Sequence, residues 1–244
     1  SPTPLPSRGI GAYTSRHGFG YSVFEHSESG IRSELWIYVA TDAAIKFSVL
    51  KVKNESGRLR KLSITGYVEL VLGDLSSKSS MHVVTKVDQS SAAIFAQNPY
   101  NSEFANRIVF FQTDSTTRTL TCDRNEFIGR NCSLRNPDAM TRLHLSGKTG
   151  PALDPCAAIQ VPFELADNQE HEITFKLGSG RNENEVVSLL HRFQGSMAAR
   201  TALEALWNYW RKTLDAVLIE TPDTSLNILT NGWLLYQTLA CRIW

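Results

Sequence analysis

Three groupings of side chains in this 244-residue chain have the types and spacing to do chemistry. The first is the segment SRHGFGYSVFEH, residues 15–26, in which Arg16 and His17 precede two glycines flanking Phe19. Arginine and histidine donate to hydroxyls or phosphate, and glycine lets a backbone approach a ligand closely. The same residues also read as a glycine turn into the first strand with Phe19 and Tyr21 as packing, the reading favoured on residue types alone. The second is DRNEFIGRNCSLRNP, residues 123–137, where Arg130, Asn131, Arg135 and Asn136 supply planar guanidinium forks and amides suited to hydroxyls and phosphates. Its other reading is a solvated loop closed by Pro137. The third is Asp123 with Glu126, a carboxylate pair of the kind glycoside cleavage uses. That chemistry needs the two carboxyls roughly 5–9.5 Å apart across a sugar, which so short a spacing in a loop does not establish, so a structural role is favoured for the pair.

Other catalytic signatures are absent from the sequence: there is no G-x-S-x-G elbow, no P-loop and no dinucleotide fingerprint. Cys122, Cys132, Cys156 and Cys241 form neither a C-x-x-C pair nor a zinc-spaced cluster, and are expected to be buried, reduced thiols. No metal and no cofactor is expected. A net charge of +1 gives no electrostatic case for nucleic acid. The tripeptides beginning at Asn54 and Asn131 fit a glycosylation sequon, read as chance because no secretory signal opens the chain.

The elements that must position these residues are mostly strands. Ile31, Leu35, Ile37 and Val39 alternate with polar or amphipathic neighbours, as do Ile45, Phe47 and Val49. The run Asn54–Gly57 signals a turn, after which Leu62 and Ile64 resume the period of two. Weaker strands are predicted at 81–87, 92–96, 107–112, 117–121, 142–146, 157–163 and 171–177. Long loops are predicted at 98–106 and 123–141, where binding residues tend to sit. Many short strands with no interleaved helices predict a mainly β, antiparallel sandwich. After Gly178-Ser179-Gly180 the period changes. Val186, Leu189, Leu190 and Phe193, then Leu203, Leu206, Trp207, Trp210 and Leu214, carry helical spacing, and Thr221-Pro222-Asp223 reads as a helix start with threonine at the N-cap. The helix that follows, 225–244, is apolar nearly all round, as in a helix buried among others. With no stop signal after it, the chain reads as part of a larger protein. Its first residues, SPTPLPSRG, read as an extended linker.

Five blocks in order, RHGFGYSVFEH, VLKVKNESGRLRKLSITGYVELVLG, FIGRNCSLRNP, LDPCAAIQVPFEL and ETPDTSLNILTNGWLLYQTLACRIW, resemble glycoside hydrolase family 94, the inverting disaccharide phosphorylases. Within it they are most similar to the phosphorylase-like region of cyclic β-1,2-glucan synthases. The resemblance implies a linker over 1–12, an antiparallel β super-sandwich over 13–180, linker helices over 181–220, and over 221–244 the first helix of a truncated (α/α)6 barrel. It further implies that inorganic phosphate, the co-substrate, attacks the anomeric carbon while an Asp beyond Trp244 serves as general acid, leaving no catalytic residue in this stretch. The partners implied are a β-glucan oligosaccharide, the remaining barrel and a second copy in a homodimer, with a soluble fragment drawn from a parent at the cytoplasmic face of a bacterial inner membrane. Residues 127–137 match a loop that in family members reaches the active site of the neighbouring subunit, which assigns Arg130, Asn131, Arg135 and Asn136 to substrate binding, with Arg16 and His17 as further candidates. Cys132 stands where a glycine would be expected. Two alternatives are a purely structural scaffold and an independent carbohydrate-binding module. The module is disfavoured because Trp36 is the only tryptophan before Trp207.

Overall fold

A computed structural model describes residues 1–242, so Ile243 and Trp244 of the predicted last helix lie outside the described residues. Eleven strands build two antiparallel sheets. They are β1 (Tyr13–Gly18), β2 (Tyr21–Glu28), β3 (Ile31–Val39), β4 (Ile45–Asn54), β5 (Arg60–Glu69), β6 (Val84–Val87), β7 (Ile94–Gln97), β8 (Ile108–Thr113), β9 (Thr119–Asp123), β10 (Pro155–Leu165) and β11 (Glu170–Gly180). The large sheet runs β1-β2-β3-β4-β11-β8-β7-β6 and the small one β5-β10-β9. The predicted β sandwich is therefore present, and most predicted strands lie within a few residues of their places.

Period-two alternation sorts β4 and β11 between two cores. On the inner face Leu50 and Val52 meet Ile173, Phe175, Ile64 and Ile159 from both sheets. On the outer face Phe47 and Phe110 pack against α2 (Glu183–Arg192) and α3 (Ser196–Leu214) through Val186, Leu190, Phe193, Ala199 and Leu206. The two helices thus form a third layer. Lys176, fully buried on the outer face of β11, ties the turn between them to the sheet. Its ammonium donates to Asp114 Oδ1 at 2.6 Å and to the Phe193 carbonyl at 3.0 Å, and Asp114 Oδ2 accepts from Gly195 N. Where the chain passes between sheets, the buried Asn54 amide donates to the carbonyls of Arg58 and Leu165, which satisfies the corner and leaves no nitrogen for a glycan.

The structure departs from expectation in several places. Residues 142–146 are not a strand, because the Leu145 amide donates to Thr119 Oγ1 and the Ser146 amide to Glu126 Oε1. The stretch 123–141 holds a short helix, α1 (Arg124–Ile128), and a 3-10 turn at Asp138–Thr141. The last helix is capped by Asp223, whose carboxylate accepts from Ser225 N and Leu226 N, while Thr221 bonds the Asn227 side chain. A π-turn over Leu229–Trp233 splits it into Thr224–Ile228 and Leu234–Arg242. Its apolar surface is open, with Ile228 70% and Trp233 42% exposed. Of the cysteines, only Cys122 and Cys156 are buried, where burial pushes the Cys122 thiol up to about 11; Cys132 and Cys241 are exposed.

Candidate functional site

The loop 130–136 is held rigidly at its base and free at its tip. Asp123 ends β9 and caps α1, accepting from Asn125 N at 3.0 Å while Lys148 approaches at 3.1 Å. One turn later Phe127 is buried and stacks on Tyr67 of β5, ring centroids 4.4 Å apart. Gly129 then takes φ +85°, ψ 157°, a region other residues avoid, and its missing Cβ would lie 2.6 Å from Asp138 Cβ. Beyond it Arg130–Asn136 are exposed. A turn closed by Asn136 N donating to the Ser133 carbonyl at 2.9 Å returns the chain to the buried Pro137. The side chains of Arg130, Asn131, Arg135 and Asn136 make no hydrogen bond or ion pair among the described residues, so their donors are available. Cys132 is not among the residues with positive φ and fits the loop without backbone strain.

Residues 1–12 lie against this loop. Ser7 N donates to the Arg135 carbonyl at 2.7 Å, Gly9 N to Tyr13 Oη at 2.7 Å, and Pro2 and Pro6 close a cleft of about 460 Å³ also walled by Tyr67, Phe127, Leu134 and Met140. Two buried hydroxyls on its wall, Thr65 Oγ1 and Tyr67 Oη, have no partner among the described residues. They were missed in the sequence, although Ser63, Thr65 and Tyr67 sit at every second position of β5 and so share a face.

The carboxylate pair is used structurally. Glu126 is buried, accepting from Thr121 Oγ1 at 2.7 Å, from Ser146 N at 2.9 Å and from the Ser146 hydroxyl. Burial pushes its carboxyl up, but the hydrogen bonds from Ser146 and Thr121 outweigh that and hold it below its ordinary value. A general acid in glycoside cleavage needs the opposite shift. Arg16 and His17 lie elsewhere. On edge strand β1, Arg16 pairs with Glu25 at 3.0 Å and His17 Nδ1 meets Ser22 Oγ at 2.9 Å, and no hydrogen bond or ion pair joins them to the 130–136 loop. They precede the hairpin tip, where Phe19 packs on Tyr236 at 5.2 Å and Gly20 N donates to Tyr236 Oη at 3.2 Å. The structure thus gives Arg16 and His17 no bond to the loop and sets the hairpin tip beside the last helix, while His26, at the end of the same segment, lines the cleft under residues 1–12 together with Phe127 and Leu134.

Residues 1–196, which contain both sheets of the sandwich, match the family described as "Glycosyl hydrolase 94, supersandwich domain". The chain belongs to that family. It is 33% identical over 240 residues to cyclic β-(1,2)-glucan synthase NdvB of Rhizobium meliloti (strain 1021), covering 98% of this chain and 8% of that one. It is 22% identical over 236 residues to N,N'-diacetylchitobiose phosphorylase of Vibrio proteolyticus, covering 95% and 29%. With cellobionic acid phosphorylase of Neurospora crassa the identity is 24% over 212 residues, covering 85% and 27%. The chain therefore spans less than a third of each of these relatives. No helix among the described residues is long and apolar enough to cross a membrane.

Proposed function

We propose that the chain is the accessory β domain of a family 94 glycoside phosphorylase or cyclic β-1,2-glucan synthase, with the 130–136 loop contacting β-glucan beside a catalytic site carried by a following helical domain. The observation that carries this reading is the pairing of four unengaged hydrogen-bonding side chains with a firmly anchored loop base. The side chains of Arg130, Asn131, Arg135 and Asn136 have no partner among the described residues, while Phe127, Pro137 and the Ser7–Arg135 backbone bond hold the backbone beneath them. An anchored backbone lowers the ordering cost that remains when exposed side chains close on a ligand. The segment Thr224–Arg242 would be the first helix of an (α/α)6 barrel, whose packing would cover Ile228 and Trp233. Its Asp would protonate the leaving oxygen while inorganic phosphate attacks, with no cofactor needed.

The test is phosphorolysis of β-1,2-gluco-oligosaccharides by this chain extended through the helical domain, with sugar phosphate as the readout. The extended form should release glucose 1-phosphate and the 244-residue chain alone should not. Arg130→Ala with Arg135→Ala should raise KM for the oligosaccharide about tenfold or more, the loss of charged hydrogen bonds worth about 1.5–3 kcal/mol. An unchanged KM would remove the loop from the site. The exposed apolar helix surface favours one second reading, a scaffold or homodimer interface with no sugar contact; in that case the double variant would be silent while mutations at Ile228 and Trp233 broke assembly.

A further inference from the structure

A second concave face lies away from the 130–136 loop. It is formed where Leu72–Asp74 meets the loop 98–107, encloses about 570 Å³, and shares no residue with the cleft under residues 1–12. Small-ligand sites are commonly of roughly this size. Tyr100 stands 76% exposed in it, its ring stacked on His82 with centroids 4.2 Å apart and planes at 15°. Phe104 is 47% exposed, with the Arg107 guanidinium 5.3 Å from its ring centre.

The backbone beneath these rings is fixed. Asn98 accepts from Tyr100 N at 3.1 Å and donates to the Leu72 carbonyl at 2.9 Å. Asn101 Oδ1 accepts from Glu103 N and Phe104 N, and Gln97 Nε2 donates to the Ala105 carbonyl at 2.7 Å. Leu72 takes φ +43°, a left-handed conformation that costs a branched side chain energy and that the surrounding bonds maintain. By contrast, the charged side chains lining the cavity, those of Asp74, Glu103 and Arg107, have no hydrogen bond or ion pair among the described residues.

We propose that this face is a separate sugar-binding site that takes a β-linked gluco-oligosaccharide. Two carboxylates against one guanidinium disfavour an anion, and three charges around the rim disfavour a wholly apolar ligand. A pyranose presents a C–H face to an aromatic ring and hydroxyls that both donate to carboxylates and accept from arginine. The choice of glucan rests on the carbohydrate reading above; the site itself stands on its own geometry.

The test is calorimetric titration of the 244-residue chain with β-1,2-gluco-oligosaccharides, with amide shifts to locate the ligand. Saturable binding is expected, with shifts over residues 98–107. Tyr100→Ala should weaken it about tenfold, the loss of a stacking contact worth about 1.4 kcal/mol, and Tyr100→Trp should restore it. Tyr100 is exposed, so both variants should keep the parent Tm. Absence of saturable binding would overturn the proposal. Binding that ignores Tyr100→Ala but falls with Arg130→Ala and Arg135→Ala would overturn it too, while supporting the loop. A dimer that Tyr100→Ala splits, with no sugar bound, would make the face a protein interface and would also sink it.

Discussion

Glu126 shows most clearly how a residue type can suggest chemistry that its surroundings forbid. Its oxygens are taken by Thr121 and Ser146, and its carboxyl is held below the ordinary value of 4.5. In the folded chain it releases its proton more readily than in the unfolded one. Its stabilisation is therefore fully present above pH 4.5 and falls away as pH drops through the lowered folded value. Glu126→Gln puts an amide NH2 where a carboxylate accepted from Ser146 or Thr121. It should cost about 1–3 kcal/mol at neutral pH and flatten the acid side of the stability profile, both read from urea unfolding between pH 7 and pH 3. An unchanged acid limb would assign the acid sensitivity to other carboxylates. In the sequence Asp123 and Glu126 were a pair three apart. Nothing there showed that Ser146, twenty residues on, would claim one of them.

At the scale of elements, parity was the legible signal. Strands with one apolar face, such as β4, showed themselves by alternation. Edge strand β1 did not, because it buries almost nothing, its middle residues Thr14–His17 being exposed. The stretch 142–146 alternated but forms no strand, since its amides serve side chains of β9 and α1. The loop base offers a direct contrast in glycine demands. Gly129 at φ +85° has Asp138 Cβ 2.6 Å from where a Cβ would stand, whereas Gly57 at φ +74° has nothing within 4 Å. Gly57→Ala should cost about 1 kcal/mol from conformation alone. Gly129→Ala adds steric conflict and should cost about 2–3 kcal/mol while moving the 130–136 loop. Chemical denaturation of the two variants side by side checks the difference, and equal losses would mean that Asp138 gives way freely.

Across the whole molecule, order is unevenly distributed. The layered cores on both faces of the large sheet hold most of the buried side chains, while the segment Thr224–Arg242 buries only Gly232 and touches the sandwich mainly through Tyr236, Phe19 and Trp210. Its amides should exchange with solvent far faster than those of β4 and β11 in hydrogen-exchange measurements. Tyr236→Ala should raise exchange there further without changing global Tm. Protection equal to that of the strands would show that this helix is stable without partners. Its apolar character was legible in the sequence, but its open state was not, because periodicity reports which face is apolar and not what covers it.

The order of strands in the large sheet carries a consequence for how the chain reaches this state. β11, the last strand along the sequence, lies between β4 and β8 and pairs residues 170–178 with 45–53. The meander of β1 to β4 therefore waits with an unpaired inner edge until β11 has been made. Such distant pairing places folding in the slow range, about milliseconds to seconds. It also makes the interval before β11 docks the time when the nascent chain is most open to pairing with a neighbour.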